Sequence, residues 1–192
     1  MNLGLEKRNI YVELVSRLER SARCAGLWKP EGVGRKRTII RQGETPKHVY
    51  VLTSGLVKLN YTTQSGDEWI KSFIVDQGLF GPTSSDSSAS MAYGANSVEA
   101  STFVMLPVKW LAAEIAEDVA LERLVFKFLD WVRQKKELRE QALLCDGPAE
   151  RYVAFKTVEP NLAARLPQAD IARYLRVTPV AFSRIKRKLP DS

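Results

Sequence analysis

The sequence predicts an α+β protein with an N-terminal antiparallel β-roll, a long helix and a C-terminal helix-turn-helix domain. Three observations predict this order. Apolar residues alternate with a period of two between Thr38 and Leu106, and they follow helical spacing between Pro107 and Leu144. Residues 168–189 then have the apolar spacing of two short helices joined by a tight turn. With 192 residues, 45% of them hydrophobic, the chain is long enough to bury a core.

Composition excludes several classes of protein and site. The two cysteines, Cys24 and Cys145, lie too far apart in sequence to suggest a disulfide framework, and His48 is the single histidine. A metal site built on two histidines is therefore excluded, and we expect no metal, no cofactor and no enzyme activity. No stretch has the roughly eighteen uncharged apolar residues of a membrane span, and charged residues interrupt the N-terminus where a signal peptide would be apolar. We therefore expect a soluble, cytoplasmic protein.

The first forty residues predict one short helix, because Ile10, Leu14 and Leu18 recur at fourfold spacing. Between Thr38 and Leu106, runs of alternating residues are separated by turn sequences that contain Gly43, Gly55, Gly66 and Gly78. Short strands at this spacing are typical of a roll or barrel. We place residues 1–118 in this first domain.

A long helix is predicted next, over residues 119–145. Its apolar stripe contains Leu121, Leu124, Phe128, Val132 and Leu138. Periodicity alone leaves two interpretations open, because the stripe can pack on its own barrel or on the same helix of a second copy. Asp146, Gly147 and Pro148 end the helix and predict a hinge before the last domain, residues 146–192.

The net charge of +7 is concentrated at the two ends of the chain. Residues 147–192 carry nine Lys or Arg and four Asp or Glu, whereas residues 41–146 carry eleven and fourteen. A basic C-terminal domain on a nearly neutral body favours a polyanion as partner, although basic surface alone is more often a solvated face.

The helix-turn-helix interpretation depends on spacing counted from Gln168. A small residue, Ala172, falls at the fifth position, where the two helices would touch. Apolar residues occupy the other inward positions: Ile171, Leu175, Val177, Phe182 and Ile185. Thr178 can cap the second helix and Pro179 suits its first turn. Arg176 stands at the ninth position, where a positive φ normally requires glycine. The alternative is an amphipathic surface helix that ends in a basic run.

The order of these elements resembles the bacterial CRP/FNR transcription regulators, whose N-terminal part is a β-roll of the cyclic-nucleotide-binding type. The resemblance covers residues 37–189 and includes RQGETPKHVYVLTSGLVKL, SGDEWIKSF, GLFG and the ending LPQADIARYLRVTPVAFSRIKRKL. It implies a homodimer that pairs through the long helix and binds double-stranded DNA, with RNA polymerase as a further candidate partner. The DNA-binding residues that it implies are Gln168, Thr178, Val180, Ser183, Arg184 and Arg187, and Lys186 and Lys188 flank them and suit phosphates.

The resemblance fails where a cyclic nucleotide would bind. Pro82 stands near the family's ribose-binding Glu, and Gly94 stands near its phosphate-binding Arg. No Lys or Arg occurs between Lys71 and Lys109. We therefore expect no control by cyclic nucleotides, because a buried phosphate needs a cationic partner.

The main alternative is a receptor for an unidentified small-molecule effector, with Ser84, Ser85 and Asn96 as pocket residues. The serine-rich run is more often a plain polar loop. An enzyme on a cupin-type barrel would need several histidines, which the chain lacks. Trp28, Trp69, Trp110 and Trp131 lie on unrelated elements, so core packing explains them better than a stacking platform for single strands.

Overall fold

The computed structural model describes residues 3–82 and 90–189 of the chain. Within these ranges the strands are Pro30–Val33 (β1), Thr38–Ile40 (β2), His48–Ser54 (β3), Leu56–Thr62 (β4), Glu68–Val75 (β5), Gly78–Phe80 (β6), Gly94–Ser97 (β7) and Ser101–Pro107 (β8). The helices are Leu3–Cys24 (α1), Val108–Glu117 (α2), Val119–Cys145 (α3), Pro148–Val158 (α4), Pro160–Arg165 (α5), Gln168–Tyr174 (α6) and Pro179–Lys188 (α7).

The strands form two antiparallel four-stranded sheets, ordered β1-β8-β3-β6 and β2-β7-β4-β5. Residues that alternate along each strand point between the sheets and form the interior core. Tyr50 lies at its centre, stacked on Phe80 at 5.0 Å and edge-on to Phe103 at 5.6 Å between ring centroids. This is the β-roll that the alternating pattern predicts, and the α+β fold class is confirmed.

Several boundaries differ from the sequence prediction. The predicted helix from Pro107 to Leu144 is two helices, because Pro107 ends β8 and Asp118 interrupts the helix. The Asp118 carboxylate accepts from the backbone nitrogens of Ala120 and Leu121 at 3.0 and 3.1 Å, so it caps α3. The N-terminal helix is longer than expected and runs to Cys24. Alternation did not predict β1, which lies in a segment with Pro30, Gly32 and Gly34, and the short segments β6 and α5 were not predicted either.

The outer face of each sheet is covered by helices. α1 and α3 pack on the sheet that contains β3 and β8, where Leu14, Leu18, Val51, Val104 and Leu121 share one buried cluster. The C-terminal helices pack on the other sheet, as described below. Among the residues that the structure describes, no helix combines the length and the apolar composition that crossing a bilayer requires.

Candidate DNA-binding interface and ligand pocket

The C-terminal helices α6 and α7 cross as the sequence predicts for a helix-turn-helix. Ala172, at the crossing, is completely buried, and Ile171, Leu175 and Phe182 have 3% or less of their surface exposed. Tyr152 of α4 packs edge-on against Phe182 with ring centroids 4.9 Å apart. A small residue is needed at the crossing because a larger side chain would separate the two helices.

The turn between the helices has the expected conformation despite its unusual sequence. Arg176 adopts a φ of 62°, the left-handed conformation that glycine usually supplies. Its guanidinium lies 4.3 Å from the centroid of the Trp69 ring on β5. This cation–π contact offsets part of the backbone cost. Thr178 accepts from the backbone nitrogen of Ala181 at 3.2 Å and caps α7, and Pro179 occupies its first position.

All eight residues predicted to contact DNA lie at the surface: Gln168, Thr178, Val180, Ser183, Arg184, Lys186, Arg187 and Lys188. Val180, Ser183, Arg184 and Arg187 lie on the side of α7 opposite Phe182. Lys186 donates to the Gln168 side-chain oxygen at 3.0 Å and so links α7 to the start of α6. Lys186, Arg187 and Lys188 fall in the last turn of α7, where they interact favourably with the negative end of the helix dipole.

The helix-turn-helix is not a separate body but docks on the outer face of β4 and β5. Leu56, Ile70 and Phe73 of these strands belong to the same buried cluster as Ile171 and Leu175. The apolar contact extends the core from the roll into the C-terminal helices.

Ion pairs lie within this contact and at its edge. Lys58 of β4 lies 3.1 Å from the Asp170 carboxylate of α6 and 2.6 Å from Glu68 of β5. At the other end, Arg165 of α5 pairs with Asp76 at 2.9 Å and with Glu99. The Gly55 amide and Arg165 hold the pKa of the Asp76 carboxyl below its ordinary value, against the opposing effect of burial. Sequence analysis missed Lys58 and Arg165, because their partners are distant in the chain.

Comparisons with known proteins agree with this architecture. Residues 32–118 match the family model described as the cyclic nucleotide-binding domain. FixK2 from Bradyrhizobium japonicum superposes with a TM-score of 0.73 at 19% identity, covering 84% of each chain. The c-di-GMP-responsive regulator CLP of Xanthomonas campestris gives 0.72 at 12% identity, over 85% of this chain and 86% of that one. The catabolite activator protein of Thermus thermophilus gives 0.55 at 20% identity, over 88% and 81%.

The chain has the fold of the CRP/FNR regulators. No curated protein matches the sequence. The resemblance stated from the motifs is confirmed at the level of the fold.

Among the residues of this CRP/FNR-type roll that the structure describes, apolar side chains pack the interior. The cluster of Tyr50, Phe80 and Phe103 continues to Met91 and Ala95, on the side of the roll where the family binds its nucleotide. At Gly94, a Cβ would lie 3.3 Å from the Ile40 carbonyl oxygen and 3.5 Å from the Gln42 nitrogen. β2 therefore restricts the position where the family places its phosphate-binding Arg.

The predicted effector pocket needs correction. Ser84 and Ser85 lie outside the described residues. Asn96 does not face the roll interior, because its neighbour Ala95 does and side chains alternate along a strand. The Asn96 amide donates to Asn60 at 2.7 Å and accepts from Thr38 at 2.9 Å. Its hydrogen-bonding groups therefore join three strands and are not directed at a ligand.

The apolar stripe of α3 is divided between two environments. Leu121 and Leu124 are buried in the chain's own core against α1, and Phe128 lies edge-on to Tyr11 of α1 at 5.2 Å. For these residues the interpretation of packing on their own domain is the right one. Other apolar residues of α3 remain exposed, with Phe126 73% and Leu129 45% exposed.

Proposed function

We propose that this chain is a sequence-specific DNA-binding transcription regulator that acts as a homodimer without control by cyclic nucleotides. The observation that carries the proposal is the free outer face of α7. Arg184 lies in the middle of that face, while Phe182 on the opposite side is only 2% exposed and fixes the helix. A helix held in this way can enter the major groove without losing its packing.

The chemistry of the exposed face suits base readout flanked by phosphate contacts. Arg184 has the donors for bidentate hydrogen bonds to guanine, Ser183 has a hydroxyl, and Val180 offers an apolar surface for a thymine methyl group. Lys188 and Arg187 in the last turn suit phosphates. RNA polymerase is a further partner that we propose for such a regulator.

The dimer that we propose uses the exposed face of α3 rather than its buried stripe. Val119, Phe126, Leu129 and Leu144 are 45% to 78% exposed, and at 100° per residue all four fall on one side of the helix. A face of this kind along a helix of 27 residues suits an identical helix from a second copy. Two recognition helices would then reach half-sites about 34 Å apart.

Arg184→Ala tests the readout. We expect the variant to lose about 1–3 kcal/mol of binding free energy on the preferred site and to lose preference at one base pair of each half-site. Lys188→Ala is the control, because a phosphate contact weakens binding to all sequences equally and reduces its salt dependence. Fluorescence anisotropy on selected and random duplexes measures both. Absence of duplex binding at low salt would contradict the proposed function.

Phe126→Glu tests the dimer. A charge in the centre of an apolar interface should convert the protein to a monomer and weaken operator binding, because one half-site supplies only part of the affinity. Leu138→Glu is the matched control, since Leu138 is also exposed (51%) but lies about 120° around the helix from Phe126. Sedimentation at micromolar concentration distinguishes the two. A wild-type chain that is monomeric under these conditions rules out this mechanism.

A second candidate function is a receptor for a small-molecule effector in the sensor domain. The observation that favours it is the half-buried Lys71 at the edge of the roll interior, whose Nζ atom lies 4.6 Å from the centroid of the Tyr93 ring.

A further inference from the structure

The C-terminal end of α6 is held by side chains from two other helices. The last carbonyls of a helix have no partner within the helix itself. Backbone amides of the turn bind the carbonyls of residues 171–173, and the next two carbonyls accept from arginine side chains. The Nη2 atom of Arg139 on α3 donates to Tyr174 at 3.0 Å, and the Nη2 atom of Arg151 on α4 donates to Leu175 at 2.9 Å. The turn of the helix-turn-helix is therefore bonded directly to α3 and α4.

Each of these arginines also binds a second backbone carbonyl. The Nη2 atom of Arg139 donates to Ile70 on β5 at 2.9 Å, and the Nη1 atom of Arg151 donates to Asp146 in the hinge at 2.6 Å. β5 lies at the edge of its sheet, so Arg139 joins α3 both to the roll and to the turn. Arg151 joins the same turn to the start of the C-terminal domain.

Side chains of the turn are held from the same directions. The Cζ atom of Arg139 lies 3.9 Å from the centroid of the Tyr174 ring, and that ring packs on Phe73 of β5 with centroids 5.3 Å apart. The guanidinium of Arg176 covers the Trp69 ring, also on β5. Both the backbone and the side chains of the turn thus contact the body of the protein, which fixes its orientation more fully than a single contact would.

The acceptors of Arg139 and Arg151 are backbone carbonyls, which differ from carboxylates in what they fix. Arg133 on the surface of α3 pairs with Asp130 and Glu137, whose side chains can rotate with it. A carbonyl moves only when its backbone moves, so a bond from a planar guanidinium fixes the distance between two elements. Hydrogen bonds from a charged donor are also stronger than those between neutral groups.

The turn leads directly into the recognition helix. Val177 and Thr178 are the two residues between Arg176 and Pro179, where α7 begins. A fixed turn therefore fixes the direction of α7 relative to α3, which carries the exposed apolar face of the proposed dimer. In a symmetric dimer, a change in the angle between α3 and α7 moves both recognition helices and alters the distance between them.

We propose that Arg139 and Arg151 are positioning residues that determine which half-site spacing the dimer selects. The inference rests on the proposed function and adds a residue-level cause for its spacing specificity. Both arginines act through the turn, whereas Arg184 on the outer face of α7 is placed for base readout. Loss of either arginine should therefore change the spacing preference without changing which bases are read.

The test measures binding to duplexes that differ only in the spacing of their half-sites. One inserted base pair moves a half-site by about 3.4 Å and rotates it by about 34°. A rigid dimer should bind such a duplex at least about tenfold more weakly than the selected site, because both half-sites can no longer be engaged together. A duplex with a single half-site measures base readout alone. Fluorescence anisotropy with the full chain gives all three affinities.

Arg139→Gln removes the donor to both carbonyls. We expect the penalty for one inserted base pair to fall to about threefold, because a looser turn adapts to both spacings and loses affinity for the preferred one. Affinity for the single half-site should stay within about twofold of wild type, since α7 keeps its own DNA contacts. Arg151→Gln should act in the same direction.

Two further variants of α3 separate position from charge. Arg139→Lys keeps the charge without the planar donor group, and its spacing penalty should lie between those of wild type and Arg139→Gln. Lys127→Gln is the control, because Lys127 is exposed, loses the same charge and lies about 100° around the helix from Phe126. This control should keep the wild-type penalty.

Hydrogen exchange without DNA examines the turn itself. The Val177 amide donates to the Ala172 carbonyl at 3.0 Å, and it should exchange faster in Arg139→Gln than in Lys127→Gln. Unchanged protection of β8 shows that the variant is folded. A wild-type chain that binds no duplex would contradict the proposed function, whereas unchanged exchange at Val177 would contradict the role of Arg139 alone.

Two DNA-binding results would also overturn the proposal. One is a spacing penalty for Arg139→Gln equal to that of the Lys127→Gln control. The other is an equal loss of affinity for the single half-site and the full site, since that would mean that Arg139 maintains the fold of α7 rather than its direction. Tighter binding by Arg139→Gln at every spacing has the same consequence, because it would show that the arginine holds α7 away from DNA.

Discussion

The two sheets of the roll are covered on their outer faces in different ways. α1 packs on the β3–β8 side through Leu14, Leu18, Val51 and Val104, all 2% exposed or less. Its ion pair, Arg17 with Asp118, lies at the edge of the contact and is partly exposed. On the β4–β5 side, Lys58 and Asp170 bring charge into the contact itself, with side chains 15% and 9% exposed.

This difference indicates how firmly the helices are held on each sheet. An apolar contact loses stability only when its packing changes, and it makes α1 part of the core. A contact that contains buried charge is stabilised only while every charge keeps its partner. In this contact, paired cations also occupy part of the surface that apolar side chains would otherwise fill. We infer that the roll and α1 unfold together, whereas the helix-turn-helix separates from its sheet more easily.

The largest effect is expected on the α1 side. Leu18→Ala should lower the free energy of unfolding by about 3 kcal/mol, because it leaves a cavity among side chains that cannot collapse into it. Urea denaturation followed by circular dichroism measures the loss. Val12→Ala is the control on the same helix, since Val12 is 38% exposed and the change should stay within about 0.5 kcal/mol. Equal losses for the two variants would mean that α1 is not part of the core.

An intermediate effect is expected from Lys58→Met on the β4–β5 side. The change leaves the Asp170 and Glu68 carboxylates close together without their shared cation, at a cost of about 2 kcal/mol because Asp170 keeps a second partner, Arg173, at 3.4 Å. Hydrogen exchange should increase in β5 and α6 while β8 and α1 keep their protection. Lys47→Met, at an exposed lysine, controls for the loss of charge. Uniform loss of protection across the chain would show that α1 and the helix-turn-helix unfold as one unit.

The smallest effect is expected at the turn of the helix-turn-helix. Arg176→Gly relieves the cost of a left-handed residue but loses the contact with Trp69, so the free energy of unfolding should change by less than about 1 kcal/mol. Arg176→Val loses the same contact and adds a β-branched side chain at a positive φ, which should cost about 2 kcal/mol. Thermal denaturation compares the two. If glycine and valine are equivalent, the turn does not hold the conformation described here.

Much of the fold and of the candidate DNA interface follows from local sequence patterns. Alternation predicted β2, β3, β4, β5 and β8, and spacing predicted the burial of Ala172 and Phe182 and the cap at Thr178. These features depend on residues close in the chain, whose relative positions a helix or strand fixes by itself. The sequence left open whether Arg176 adopts a strained turn or a slightly different one, and the structure shows the positive φ.

Only the tertiary structure decided what covers each apolar face and which charges meet. The stripe of α3 predicted an apolar contact, but the structure showed that α1 of the same chain buries Leu121 and Leu124. It also showed that Asn96 faces away from the roll interior, and that Lys58 and Asp170, 112 residues apart, come together. Periodicity identifies which side of an element is buried, whereas the identity of its partner depends on packing between distant segments, which no local pattern records.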